Sequence, residues 1–242
     1  MKKMTKFFAL ALLAGAMVSC STEDIAPSTQ NDKVAVQFTG GISVNTRAAG
    51  LAWADGDMIG IFMTGTKQPL SADAIQEGVD NVCYQTNGSI GFSPISGGKT
   101  IFFPIDGDVD FYSYYPQTTV NDYKVALDVT DQGKQEAIDF MYAKTEGCNK
   151  ATPQVFLKFY HKLSNLVLDV QPGNGLTQED LKKMTVTVKG QNTKATFNLA
   201  DGTISGEGNP TDIKMKTTQA GKLYEAILLP TEEASRVIEF DL

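Results

Sequence analysis

Between Val34 and Leu242 the chain repeats one local pattern many times: a short run of apolar and polar residues in alternation, closed by Gly, Pro, Asn or Asp. Successive side chains of an extended strand point to opposite faces, so this alternation specifies strands with one buried face and leaves little room for long helices. Residues 34–39 and 42–45 alternate on either side of Gly40-Gly41, and 58–63 follow the turn Ala54-Asp55-Gly56-Asp57. Asn87-Gly88, between 82–86 and 89–92, predicts a hairpin on a type I′ turn. A second hairpin is expected from 100–105 and 109–115 around Asp106-Gly107, with Pro104 restricting its strand to an edge because it has no amide hydrogen to donate. Weaker strand signals at 125–129 and 137–142 precede a polar, Gly-containing stretch from Ala143 to Pro153. Strand patterns resume at 155–161, 163–170, 185–189, 195–199, 213–217 and 223–229. The last residues set Ile238, Phe240 and Leu242 on one face and Val237, Glu239 and Asp241 on the other. Thr177-Gln178-Glu179-Asp180 has the form of a helix-capping box, but its run ends by Met184 and allows only a turn or two. The expectation is an all-β chain of two tandem β-sandwich domains, 33–150 and 151–242, divided at the polar stretch, the second incomplete if the chain is truncated.

The start of the chain carries a different message. Lys2, Lys3 and Lys6 precede an apolar run over 7–18 that closes on Ser19-Cys20, the layout of a secretory signal. Twelve apolar residues fall short of the about 20 that span a bilayer. Ala16-Met17-Val18-Ser19-Cys20 resembles a bacterial lipobox, with Met17 where Leu is usual; cleavage between Ser19 and Cys20 then removes 1–19 and leaves Cys20 acylated at the mature N-terminus. Ser21-Thr22-Glu23-Asp24 resembles the acidic tag that sends some Gram-negative lipoproteins to the outer face of the outer membrane, and reads equally well as plain tether. Residues 20–32 are mostly polar and form a flexible tether that reaches roughly 20 Å.

Loss of 1–19 removes three lysines and no acidic residue, leaving 18 basic against 28 acidic residues and a balance of −10. That charge argues against nucleic acid and against an anionic membrane surface as partners. With Cys20 lipidated, Cys83 and Cys148 form a candidate disulfide that would close a 65-residue loop, worth about 4 kcal/mol in the chain-entropy account. Alternatively Cys83, in a strand-like run, packs as a small free thiol. His161 is the one histidine, so no His cluster can hold a metal, and Phe159, Tyr160 and Leu163 around it mark a packed strand end. Ser96-Gly97-Gly98-Lys99-Thr100 lacks the first Gly of a phosphate loop, and a strand follows it where a helix is required. Asp106, Asp108 and Asp110 copy the start of a calcium loop, but Phe111 and Gln117 stand where its Gly and closing Glu belong. Trp53 with Phe111, Tyr112, Tyr114 and Tyr115 suggests a stacking platform for sugars; alternate residues face opposite ways, however, so at least half of the four belong to a core. Neither a cofactor nor an enzymatic reaction is expected.

Several segments together resemble the fimbrillin family: Trp53-Ala-Asp-Gly-Asp57-Met-Ile-Gly-Ile-Phe62, Phe103-Pro-Ile-Asp-Gly107, Val109-Asp-Phe-Tyr-Ser-Tyr-Tyr-Pro116, Asp139-Phe-Met-Tyr-Ala143, Phe159-Tyr-His-Lys-Leu-Ser164 and Leu228-Leu-Pro230. The resemblance implies two transthyretin-like β-sandwiches in a surface lipoprotein that builds or caps a pilus. Its partners would be other fimbrillin subunits, the outer membrane through the lipid, and ligands on host or bacterial surfaces. It also implies proteolytic maturation between Arg47 and Ala48, which removes a first strand so that a strand of another subunit fills the groove. Family members continue past the equivalent of Leu242 with further strands, one of them used in assembly; either the chain is truncated there or residues 236–242 serve instead. A monomeric, glycan-binding surface lipoprotein is the alternative reading.

Overall fold

The computed structural model describes residues 33–43, 52–206, 210–231 and 236–242. Seven strands close a barrel: β1 (Gln37–Ser43), β2 (Asp55–Gly65), β3 (Val82–Asn87), β4 (Gly91–Pro94), β5 (Val109–Tyr115), β7 (Met141–Cys148) and β8 (Gln154–His161). The order around it is β1-β4-β3-β2-β5-β7-β8, antiparallel throughout except where β1 runs parallel to β8. The remaining strands are β6 (Lys124–Asp128), β9 (Ser164–Asp169), β10 (Thr185–Asn192), β11 (Lys194–Asn198), β12 (Thr203–Gly206), β13 (Pro210–Lys214), β14 (Lys216–Gln219), β15 (Leu223–Leu228) and β16 (Val237–Asp241). They make three antiparallel sheets in the orders β13-β10-β16, β12-β11-β6 and β14-β15-β9.

Alternation decides what each barrel strand buries. Ile59, Ile61 and Met63 of β2, Val109 and Phe111 of β5, Met141 and Ala143 of β7 and Val155, Leu157 and Phe159 of β8 fill the interior. The intervening residues of β2, β5 and β7, namely Phe62, Tyr112, Tyr114 and Tyr142, are buried too, because they pack on a second core with Val186, Phe197, Ile213 and Tyr224. β5 is therefore buried at every position but its last, the polar Asp110 and Ser113 included: it is a wall between two cores. The turn into β2 forms as its sequence dictates, with Gly56 at φ +91° and Asp57 N–H donating to Ala54 O at 3.2 Å while Asp57 Oδ2 accepts from Ala54 N–H at 2.7 Å.

The division expected at residue 150 is not the one that strand pairing makes. β8, from the expected second half, pairs with β1 and β7; β6, from the first, pairs with β11; and residues 33–242 form one compact unit. The polar stretch 143–153 misleads because much of it is the exposed end of β7, and polarity alone does not separate a linker from a strand end in water. The Asn87-Gly88 hairpin exists, but Thr86 pairs with Phe92, so five residues make the turn, and Gly88 alone among them has positive φ; a type I′ turn would need two. Residues 101–103 are not the hairpin partner of β5: Val36 N–H donates to Ile101 O and Phe103 N–H to Val34 O, which lays them beside the lead-in to β1. The capping box is formed, Thr177 N–H donating to Asp180 Oδ2 at 2.7 Å and Asp180 N–H to Thr177 Oγ1 at 3.3 Å, and it starts a single 3-10 turn, Asp180–Lys183. Of the apolar face of β16, Ile238 packs on a core while Phe240 and Leu242 are 50% and 63% exposed.

Cys83 and Cys148 do not pair; both are free thiols. Two strands, β2 and β5, lie between theirs in the barrel, and the register row of Cys83 crosses β7 at Tyr142, six residues from Cys148. That offset is roughly 20 Å at strand rise, far beyond the roughly 7 Å between Cα atoms that a disulfide tolerates.

Candidate functional site

β1 is the strand that closes the barrel, and its two sides are held unequally. Seven register pairs join it to β8, from Gln37↔Gln154 to Ser43↔Tyr160, whereas two join it to β4, Phe38↔Phe92 and Thr39↔Gly91. Gly40 N–H adds a bond to Ile90 O at 2.7 Å on the β4 side. Inside, Phe38 is 3% exposed and meets Tyr84 and Phe111 edge-on at 5.4 and 5.1 Å. A side chain so buried contributes about 2–3 kcal/mol. Trp53 reaches across from the segment before β2: its indole N–H donates to Gly40 O at 2.9 Å, and its ring stands edge-on to Phe92 and Phe159, both at 5.1 Å. Were β1 absent, a slot lined with aromatic rings would remain between the unpaired edges of β4 and β8. A slot of that form accepts an extended segment with apolar residues at alternate positions.

At the mouth of the slot Ile42 and Trp53 border a cleft with Asp57, Tyr115, Asp139 and His161. The Tyr115 hydroxyl donates to Asp57 Oδ1 at 3.0 Å; burial first, and then the neighbouring Asp57 charge, push that phenol far above its ordinary range. His161 Nδ1 lies 2.8 Å from Asp139 Oδ1, while its Nε2 is buried without a partner among the described residues. A carboxylate-imidazole pair needs a nucleophile bonded to the second nitrogen to run acyl transfer, and no described residue is bonded there. Among the described residues no group of three His, Cys, Asp or Glu side chains is placed to hold a metal ion. The cluster braces the ring wall around Trp53, and His161 is a hydrogen-bonded strand end as well as a packed one.

Of the residues singled out in the sequence, Ser19, Cys20, Arg47 and Ala48 lie outside the described residues; in the sequence Arg47 follows Ser43, the end of β1, by four positions. Asp110 is 1% exposed and accepts from Thr66 Oγ1, Lys67 N–H and Gly147 N–H at 2.9–3.0 Å, and Asp108 accepts from Asn149 Nδ2 at 3.0 Å. These aspartates tie loops together. Trp53, Phe111, Tyr112 and Tyr114 are all buried and present no platform to solvent. Gly40 and the bond it accepts from Trp53 escaped the sequence reading, although two glycines inside an alternating run are themselves a sign of close approach by another group.

Residues 46–242 match the family model described as fimbrillin-like. A candidate fimbrium subunit of Bacteroides uniformis, Fim1C, is 37% identical over 235 residues, covering 91% of this chain and 73% of its own length. The crystal structure of a candidate cell adhesion protein from the same species superposes with a TM-score of 0.71 at 34% identity, over 86% of this chain and 80% of that one. Another from Bacteroides ovatus, 23% identical, shares the fold with a TM-score of 0.67 over 86% and 82% of the two chains.

Proposed function

The chain belongs to the fimbrillin-like family, and from that premise we propose that it is a structural or accessory subunit of a cell-surface fimbria, assembling by strand exchange at the seat of β1 and contributing to adhesion. In this reading cleavage at Ser19-Cys20 leaves Cys20 lipidated, and the acyl chains hold the subunit at the outer membrane, each buried methylene adding about 0.8 kcal/mol. The two cores correspond to two transthyretin-like sandwiches that share a wall. Cleavage between Arg47 and Ala48 frees β1, and a strand of another subunit takes its place. The observation that carries the reading is the seat itself: β1, the first strand among the described residues, closes the barrel, is lined by Phe38 and is held on one side by only two register pairs. Its loss bares apolar rings and two rows of unpaired backbone groups, and an incoming strand covers both. Because the seat and the donated strand are different surfaces, such contacts propagate head to tail. The role is structural, and no reaction is assigned. The glycan-binding alternative gains little support from the aromatics proposed for it: Trp53, Phe111, Tyr112 and Tyr114 are core residues, and Tyr115, half-buried, gives its hydroxyl to Asp57.

The test uses a chain carrying Arg236→Lys, which leaves Arg47 as its one arginine. Treatment with an Arg-specific protease is expected to expose Ala48 as the new N-terminus and to let a donor subunit displace the 20–47 fragment. Assembly that proceeds with that fragment still seated refutes exchange at this site. Separately, Cys20→Ser should move the protein out of the membrane fraction; continued co-sedimentation refutes the lipid anchor.

A further inference from the structure

Building on the strand-exchange reading, we propose that the seat selects its incoming strand by size at one position, the place of Gly40, and that the partner is an alternating apolar strand with glycine there. A Cβ on Gly40 would lie 2.8 Å from Phe92 Cε2 and 3.2 Å from Phe159 Cε2. These rings cannot easily give way: Phe92 and Phe159 are 6% and 0% exposed, and both abut Trp53, whose own position is set by its bond to Gly40 O. Gly41 makes an internal control. Its Cβ would come 2.8 Å from Phe156 Cζ, but Phe156 is 53% exposed and free to swing outward. Neither glycine has positive φ, so an alanine meets no backbone obstacle at either place; what differs is space.

The rest of the recognition pattern follows from the face that β1 presents. Phe38, two residues before Gly40, fills the pocket between Tyr84 and Phe111, and Val36, a further two before, is 6% exposed. Ile42, two after, packs on the same core. A matching strand thus carries apolar residues four and two before the glycine and two after it. β16 offers Ile238, Phe240 and Leu242 at alternate positions with no glycine among them. Every residue of 236–242 carries a Cβ, so every register that lays this segment across the Gly40 position sets a side chain against Phe92 and Phe159. The seat therefore rejects residues 236–242 of a second copy, and the occupant is a glycine-bearing strand from a different segment or subunit.

The experiment uses full-length Arg236→Lys protein nicked after Arg47, with its own fragment still bound, challenged by synthetic peptides of sequence 33–45. Displacement is followed by gel filtration and by the emission of Trp53, the one tryptophan. The unmodified peptide should displace the fragment, the Gly41→Ala peptide should compete within about threefold of it, and the Gly40→Ala peptide should compete at least about tenfold less well, equivalent to about 1.4 kcal/mol and within the usual range for overpacking. A 236–242 peptide should not compete. Phe92→Leu in the protein should narrow the gap between the Gly40→Ala and unmodified peptides; an unchanged gap overturns the steric cause. Equal competition by the Gly40→Ala and unmodified peptides overturns size selection while leaving strand exchange standing. Failure of every peptide removes strand exchange, and this proposal with it. In the intact chain, without any nick, Gly40→Ala should lower the unfolding midpoint while Gly41→Ala leaves it nearly unchanged, and the reverse order counts against the proposal.

Discussion

Gly60→Ala tests how tightly the shared wall between the two cores is built. Gly60 of β2 sits across from Cys83 on one side and Tyr114 on the other. A Cβ there would stand 2.4 Å from Tyr114 Cε1 and 2.5 Å from Asn81 Oδ1. Tyr114 is fully buried, stacked between Phe62 and Phe140, and its hydroxyl bonds Thr118 O at 2.7 Å and Asn81 Oδ1 at 2.8 Å. The ring cannot shift without losing those bonds. Overpacking of this kind costs about 1–3 kcal/mol. A displaced buried hydroxyl adds about 1–2 kcal/mol. The sum, about 2–5 kcal/mol, is a large share of the roughly 5–15 kcal/mol that stabilises an ordinary domain. Urea titration and calorimetry should show it as a fall in Tm on the order of 10 °C for a chain of this size. A double-mutant cycle isolates the cause: in a Tyr114→Leu background the cost of Gly60→Ala should shrink by about 1 kcal/mol or more. Strict additivity of the two changes, or a single-mutant cost below about 0.5 kcal/mol, would refute the reasoning, since the latter is the scatter of surface substitutions.

Three further outcomes are expected. Gln132, 4% exposed, donates to Val129 O and Ile227 O and accepts from Ile227 N–H, so Gln132→Leu should lower stability by about 2–4 kcal/mol in urea titration; a change within experimental error would show that water replaces the amide. Burial, reinforced by Asp110 and Asp108, pushes the Cys148 thiol up to about 11; its alkylation should therefore keep climbing about tenfold per pH unit past an ordinary thiol's midpoint, because the thiolate is the nucleophile, and a plateau near pH 9 would contradict this. Asp201, bonded by the Thr203 hydroxyl and N–H, and Asp212, beside Lys189 and the Gly190 N–H, have carboxyls held below the usual range. A depressed folded-state value contributes stability above the ordinary carboxylate pKa of about 3.9 that is lost as pH falls through the folded value, so double substitution by Asn should flatten the acid limb of the stability profile; an unchanged limb would show the shifts to be inconsequential.

What the sequence determined by itself was local. Period-two alternation marked β3, β8, β9, β11 and β15 to within a residue or two, because which face of a strand is apolar is written in the strand's own residues. The Thr177-Asp180 cap and the turn at Gly56 were legible for the same reason: their partners lie within three residues. Membership of the fimbrillin-like family was also legible, from Trp53, the Val109–Tyr115 run and the segments in order with them. Partnership was not. That Gln37 pairs with Gln154 and Val125 with Phe197 follows from closing loops of many tens of residues around shared cores, and alternation says that a face must be covered without saying by what. The polar end of β7 looked like a linker, and residues 101–103 like the partner of β5, because both inferences used neighbours in sequence where the fold uses neighbours in space. The meaning of Gly40 likewise waited on the tertiary structure: its missing side chain is required only because Phe92, Phe159 and Trp53 arrive there from three other segments of the chain.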